Sequence, residues 1–239
     1  MPLRLYLDQP FLAEASLTLP PGPSRHVQVL RLQPGDEVVL FNGQGGEWHA
    51  EVLKMGRNEV DVKLLSHDAV DRELPMPVTV ALGMPANERM DMLVEKATEL
   101  GVAAIQPLLT ERSVLRLSGE RAERRREHWQ GVAVAASEQS GRTRVPVVAP
   151  IRSLSEWVRA LPANGSDRRL LLSPRAARPL VVEAPRPTLF LSGPEGGLGE
   201  AEEALARSAG FDAVTLGPRV LRADTAPLAV LALLGLSPA

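Results

Sequence analysis

The rhythm of apolar and polar positions changes once along the chain, near Pro75 to Pro77. Before that point the apolar residues come in short runs. Glu37 to Phe41 is rich in Val and Leu, and Trp48 to Leu53 and Glu59 to Leu65 alternate, with Val60, Val62 and Leu64 on one face. A period of two predicts half-buried strands. Gly35-Asp36, Asn42-Gly43, Gly45-Gly46 and Gly56-Arg57-Asn58 supply the turns between them. A helix is expected only at Ser24 to Leu30. Short strands at this spacing predict a small β-barrel over residues 1–73. Asp68 to Pro77, charged and proline-flanked, reads as a linker.

Beyond Pro77 the pattern becomes that of alternating strands and helices. Val78 to Met84, Ala104 to Leu109, Arg169 to Leu172, Thr188 to Leu191 and Ala213 to Leu216 are short apolar runs that predict buried strands. In Glu88 to Leu100 the residues Met90, Leu93, Val94, Ala97 and Leu100 fall on one helical stripe, and Gly101 stands where a C-cap glycine belongs. Glu120 to Gln139, Gly199 to Ser208 and Thr225 to Leu236 predict further helices. The fold class expected for residues 74–239 is therefore α/β, with a mostly parallel sheet covered on both faces.

Composition narrows the chemistry. The chain of 239 residues has no cysteine, which excludes disulfides and thiolate chemistry and fits a cytoplasmic location. The run of apolar residues needed for a membrane span is absent, so no membrane partner is expected. His26, His49, His67 and His128 share no ligand spacing, so no metal is expected. The formal net charge is −2, but it is unevenly spread. Residues 111–144 carry eight Arg against five Glu, and residues 168–186 carry five Arg against one Glu. Local arginine clusters of this kind can hold a polyanion at one face.

Three segments can carry a site. Leu191-Ser192-Gly193-Pro194-Glu195-Gly196-Gly197-Leu198 is a strand followed by a glycine-rich loop and a helix, the place where open α/β sheets bind ligands. A tight strand-to-helix turn accounts for the same residues. The loop is neither GxGxxG nor a Walker loop, which argues against NAD and ATP. Leu216-Gly217-Pro218-Arg219-Val220-Leu221-Arg222-Ala223-Asp224-Thr225 repeats the strand, glycine loop and helix arrangement, with Asp224 or Thr225 as a site residue or an N-cap. Ala136-Ser137-Glu138-Gln139-Ser140-Gly141-Arg142-Thr143-Arg144-Val145-Pro146 ends a helix, either as a glycine C-cap with basic residues at the helix dipole or as a phosphate or base contact.

Taken in order, these segments resemble the bacterial 16S ribosomal RNA uridine-N3 methyltransferases of the SPOUT superfamily. GPEGG at 193–197 and LGPRVLR at 216–222 are similar to that family's cofactor loops. Arg89-Met90-Asp91 with Glu95 to Val102, Pro107 to Ser113 and Glu138 to Arg142 are similar to its first helix, next strand and central motif. Arg25-His26, Val29 to Arg31, Gly35-Asp36 and Phe41 to Gly43 are similar to its N-terminal PUA-like domain. Two departures stand out: Pro85-Ala86-Asn87-Glu88 lacks a lysine common before the first helix, and Ala223-Asp224-Thr225 replaces Thr-Glu-Thr.

The resemblance implies a PUA-like β-barrel at 1–73 that binds RNA and a SPOUT α/β domain at 74–239 with a deep trefoil knot. It implies a homodimer that uses S-adenosyl-L-methionine (SAM) to methylate uridine N3 in 16S ribosomal RNA or the small ribosomal subunit. Cofactor contacts are implied for Leu172, Ser173, Leu191, Ser192, Gly193, Glu195, Gly196, Gly197, Leu216, Gly217, Val220 and Leu221. Arg25, His26, Arg31, Arg112, Arg142 and Arg144 are the expected RNA contacts. Arginine stays protonated, so Arg222 is expected as an electrostatic clamp, with Asp224 or Glu195 to take the N3 proton. Ribose 2′-O-methylation and a non-catalytic ribosome-assembly role are the alternatives.

Overall fold

The computed structural model describes residues 2–163, 165–175 and 178–236. The chain divides into two compact units, residues 1–73 with 137–145, and residues 74–136 with 146–239.

The first unit is built on one five-stranded sheet of order β1-β3-β4-β5-β2. Its strands are β1 (Leu3–Tyr6), β2 (Ser16–Thr18), β3 (Glu37–Phe41), β4 (Glu47–Met55) and β5 (Val60–Asp68), with helix α1 (Pro21–Val29) before β3. β1 runs parallel to β3, and the other pairs are antiparallel. The expected alternation is present, since Val60, Val62 and Leu64 are fully buried in one cluster with Val38, Leu40 and Val52. β1 carries a basic residue, Arg4, yet Arg4 is buried. Its guanidinium is accepted by the Glu47 carboxylate and by the Arg142 carbonyl, and it lies over the Phe41 ring.

The segment expected to be a linker is instead tied down. Arg72 donates to both Glu47 carboxylate oxygens at 3.0 and 3.2 Å and to the Gly141 carbonyl at 2.9 Å. Glu73 pairs with Arg142. These bonds hold Ser137–Val145, distant in sequence, within the first unit. The linkage runs through charged side chains and the Gly141 carbonyl rather than apolar contacts, so the hydrophobic pattern does not announce it.

The second unit contains a parallel sheet of order β12-β10-β11-β6-β7-β8, with β9 also paired to β7. The strands are β6 (Val78–Gly83), β7 (Ala104–Leu109), β8 (Val147–Val148), β9 (Arg152–Ser153), β10 (Arg168–Leu172), β11 (Thr188–Ser192) and β12 (Asp212–Val214). Val78, Val80, Ala81 and Leu82 are all fully buried, as a parallel strand covered on both faces requires. The helices are α2 (Asn87–Glu99), α3 (Gly119–Ser140), α4 (Leu154–Ala160), α5 (Glu200–Ser208) and α6 (Thr225–Leu236), the end of α3 belonging to the first unit. α2 buries the expected stripe of Met90, Leu93, Val94 and Ala97. Its Asp91 accepts from the Trp129 indole and bonds His128, both at 2.9 Å, fixing α2 against α3. α4 is too short for its period to be read from sequence, but Ser153 and Glu156 form a capping box that starts it.

A candidate cofactor cavity at the strand ends

Three loops leave the carboxyl ends of β10, β11 and β12 and meet around a cavity of about 610 Å³. This is the edge at which parallel α/β sheets bind ligands, because chain direction brings every following loop to the same side. The volume lies within the usual range for small-molecule sites, roughly 300–1,000 Å³. The first loop contributes Leu172, Ser173, Pro174 and Arg175, the second Ser192 to Leu198, and the third Val214 to Leu216 with Arg219 to Ala223.

The glycines of the second loop have separate reasons. A Cβ on Gly193 would lie 2.8 Å from the Gly197 carbonyl carbon and the Leu198 nitrogen, so the loop can fold back on itself only with glycine there. Gly197 has φ +68°, which L side chains rarely adopt, and a Cβ on it would stand in open space. Gly196 faces protein instead: a Cβ on it would meet Arg112 at 3.1 Å. Backbone bonds stitch the first and third loops side by side. Ser173 donates to the Val214 carbonyl, Thr215 to that of Arg178, and Leu180 to that of Thr215.

The cavity wall is unevenly charged, with Arg89, Arg112, Arg175, Arg219 and Arg222 against Glu195 and Glu203. Arg89, on α2, pairs with Glu195 at 3.2 Å, and the same carboxylate oxygen accepts from the Ala86 amide at 3.3 Å. Arg112 donates to the Gly196 carbonyl at 2.9 Å, bracing the glycine loop from outside. Glu203 pairs with Arg207 at 2.8 Å.

Comparison with known proteins places this architecture. Residues 72–235 match the model of an RNA methyltransferase domain, and residues 24–65 match that of an RNA methyltransferase PUA domain. The chain is 36% identical to ribosomal RNA small subunit methyltransferase E of Synechocystis, over 97% of this chain and 77% of the relative. It is 32% identical to the protein of that name from Bacillus subtilis, over 84% and 82%. The chain belongs to the ribosomal RNA small subunit methyltransferase E family. A crystal structure of the methyltransferase E of Neisseria gonorrhoeae bound to S-adenosyl methionine superposes with a TM-score of 0.91, at 36% identity over 98% of this chain and 96% of that one.

Ten of the twelve expected cofactor contacts line the cavity: Leu172, Ser173, Ser192, Gly193, Glu195, Gly196, Gly197, Leu216, Val220 and Leu221. Leu191 does not. Its side chain is fully buried in the apolar cluster beneath the loop, because alternation along β11 turns it away from the mouth. Gly217 also lies off the wall, at φ +103°, where it turns the chain. Of the three expected catalytic residues, Arg222 and Glu195 line the cavity and Asp224 does not. Asp224 is 5% exposed, and its Oδ1 accepts from the Thr225 amide at the start of α6.

The expected RNA contacts separate. Arg25, His26, Arg31 and Arg144 are exposed in the first unit. Arg142 is not available to RNA: its side chain is 4% exposed and held by Glu73. Arg112 belongs to the cavity wall. The sequence pattern does not mark Arg89, Arg175 and Glu203 as site residues: Arg89 and Glu203 reach the cavity from helices α2 and α5, and Arg175 follows the first loop's Ser173 with no motif of its own. Nor does spacing bring out Glu47, His49 and Asp68, whose ligand atoms lie within 4.8 Å of one another. Two arginines already neutralise Glu47, which disfavours a cation there.

Proposed function

We propose that the protein uses SAM to methylate N3 of a uridine in small-subunit 16S ribosomal RNA. The observation that carries this reading is the cavity formed at one end of the parallel sheet by three loops, the second rich in glycine and the first and third bearing arginines. Its wall suits SAM. Leu172, Leu198, Leu216 and Leu221 offer apolar surface for an adenine, Ser173 and Ser192 add hydroxyls, and the open space at Gly197 leaves room for a ligand against backbone. When bound, SAM supplies a methyl group made electrophilic by the sulfonium charge. Every other part of the reaction falls to the protein and the RNA.

Uridine N3 must lose its proton for its lone pair to bond the methyl carbon, and negative charge then builds on the flanking carbonyl oxygens. Arg222, exposed at the cavity, is the group to stabilise that charge. Glu195 is the proton acceptor in this scheme. Its Oε1 is oriented by Arg89 and Ala86, and among the described residues no hydrogen bond reaches Oε2. Asp224 is buried, bonds the Thr225 amide beside it and lies off the cavity wall, so it takes no part in this scheme.

The first unit, with exposed Arg25, His26, Arg31 and Arg144, is the RNA-holding part, and the chain acts as a homodimer in the cytoplasm. The dimer is supported by α6, whose twelve residues carry no charge, and by Met92 on α2, 42% exposed beside it. A knotted C-terminal region and a closed N-terminal barrel complete the proposal. The knot is supported by β10 lying between β11 and β12 while preceding both in the chain. The direct test incubates the protein with tritiated SAM and small-subunit ribosomal RNA lacking the modification. Transfer of label to RNA is expected. Absence of both SAM binding and transfer would remove the proposal.

A further inference from the structure

The charge of the cavity wall exceeds what its own carboxylates and a SAM molecule balance. Of the five lining arginines, Arg89 is matched by Glu195 and Arg112 is held by a carbonyl. Glu203 is matched by Arg207. Among the described residues, no carboxylate lies within ion-pair distance of Arg175, Arg219 or Arg222, and all three are exposed. SAM carries a sulfonium, an ammonium and one carboxylate, a net charge of about +1 at neutral pH by the ordinary pKa values of its groups. A cationic ligand entering this wall leaves positive charge unpaired, and a low-dielectric cleft of one sign focuses its field on an anion. Arg222 answers the charge on the uracil. Arg175 and Arg219 remain.

Backbone bonds hold the starts of the two loops that carry them. Arg175 follows Ser173, whose amide bonds the Val214 carbonyl and whose hydroxyl accepts from the Arg175 amide at 3.3 Å. Arg219 follows Thr215, whose amide and carbonyl bond Arg178 and Leu180 across an isolated bridge, and whose hydroxyl donates to the Gly217 carbonyl at 3.1 Å. The two loops therefore run side by side and carry one guanidinium each to the same cavity. We infer that Arg175 and Arg219 form a subsite for a phosphodiester of the RNA strand that enters the cavity. The inference rests on the RNA methyltransferase reading above and adds to it the group of the substrate that the wall grips outside the base.

The test uses the full chain with Arg175→Gln, Arg219→Gln, the double variant and Arg219→Lys. SAM affinity is read by calorimetry. Affinity for a uridine-containing single-stranded oligoribonucleotide is read by fluorescence anisotropy across a salt series. For single strands the slope of log affinity against log salt falls by about 0.7 for each phosphate that the protein no longer neutralises. The double variant should lose about that much slope and each glutamine variant a part of it, with SAM affinity unchanged. Arg219→Lys should keep the slope, because counterion release counts charge. A slope unchanged in the double variant overturns the subsite. So does a retained slope with SAM affinity reduced tenfold or more, which would give the two arginines to the cofactor carboxylate. Failure of the wild-type protein to bind SAM would instead strike the functional reading, and the salt slopes would still decide the phosphate contact.

Discussion

Glu47→Gln should destabilise the first unit strongly at neutral pH and much less in acid. The carboxylate lies between Arg4 and Arg72, and the Arg4 and Glu47 side chains are 6% and 8% exposed. Burial alone would raise its pKa. The hydrogen bonds from Arg72 and Arg4, with their charges, outweigh burial and lower it from 4.5 to about 2. At about 1.4 kcal/mol per pKa unit the interaction stabilises the folded unit by about 3 kcal/mol. Part of this comes from Arg72, which is 42% exposed and therefore screened, so the Arg72 share is the smaller. Glutamine keeps the shape but leaves Arg4 buried without a counter-charge, a loss of roughly 3–5 kcal/mol in comparable pairs. Because the folded pKa lies below the unfolded one, the stabilisation is complete above about pH 4.5 and is lost as pH falls toward 2. Hydrogen exchange read by mass spectrometry reports it locally, on β1 and residues 137–145. At pH 7 exchange through opening of this unit should be about a hundredfold faster in the variant, and by urea unfolding the gap between variant and wild type should narrow steadily below pH 4.5. A difference under 1 kcal/mol at pH 7, or one that does not change between pH 7 and pH 3, would refute this account.

Two further outcomes follow from the cavity. Gly193→Ala puts a Cβ 2.8 Å from backbone atoms that cannot rotate away, so the loop must open. SAM affinity should fall by at least tenfold while the melting temperature drops only a few degrees, and unchanged affinity by calorimetry would reduce the loop to a plain turn. Arg222→Ala should lower the single-turnover methylation rate by on the order of a hundredfold with SAM affinity nearly kept, the usual cost of losing one positioned charge. A normal rate at saturating RNA and SAM would take Arg222 out of the chemistry.

Much of the second unit can be read from sequence because its elements obey local rules. The stripe on α2 and the apolar run of β7 appear where period and length predict them. What escapes is set by long-range charge. Arg4 stands at a polar position of Leu3-Arg4-Leu5 yet is buried, and its partner Glu47 lies 43 residues away, so its burial carries no local signal. Residues 137–145 read as a helix end, either a cap or a phosphate contact. The Arg72 and Glu73 bonds hold that segment in the first unit, and Arg142 is consumed there. A chain cut after residue 73 would strip this segment of those partners, so the sequence boundary near Pro75 does not mark a clean division. The candidate site is legible as glycine loops after strands. Its arginine wall is not, because Arg89 and Arg112 reach Glu195 and Gly196 across 106 and 84 residues. Asp224 has the right chemistry for a base, but burial against the α6 amides removes it from the cavity wall.

The most direct test lies in the RNA itself. Small-subunit ribosomal RNA from a strain lacking this protein, and from the same strain with the gene restored, can be digested with nuclease and mapped by mass spectrometry. A single uridine should lose one methyl group in the deletion strain and regain it on restoration, with the methylated nucleoside co-eluting with 3-methyluridine. A methyl group found on a ribose 2′-oxygen, or no difference between the two RNAs, would contradict the proposed function.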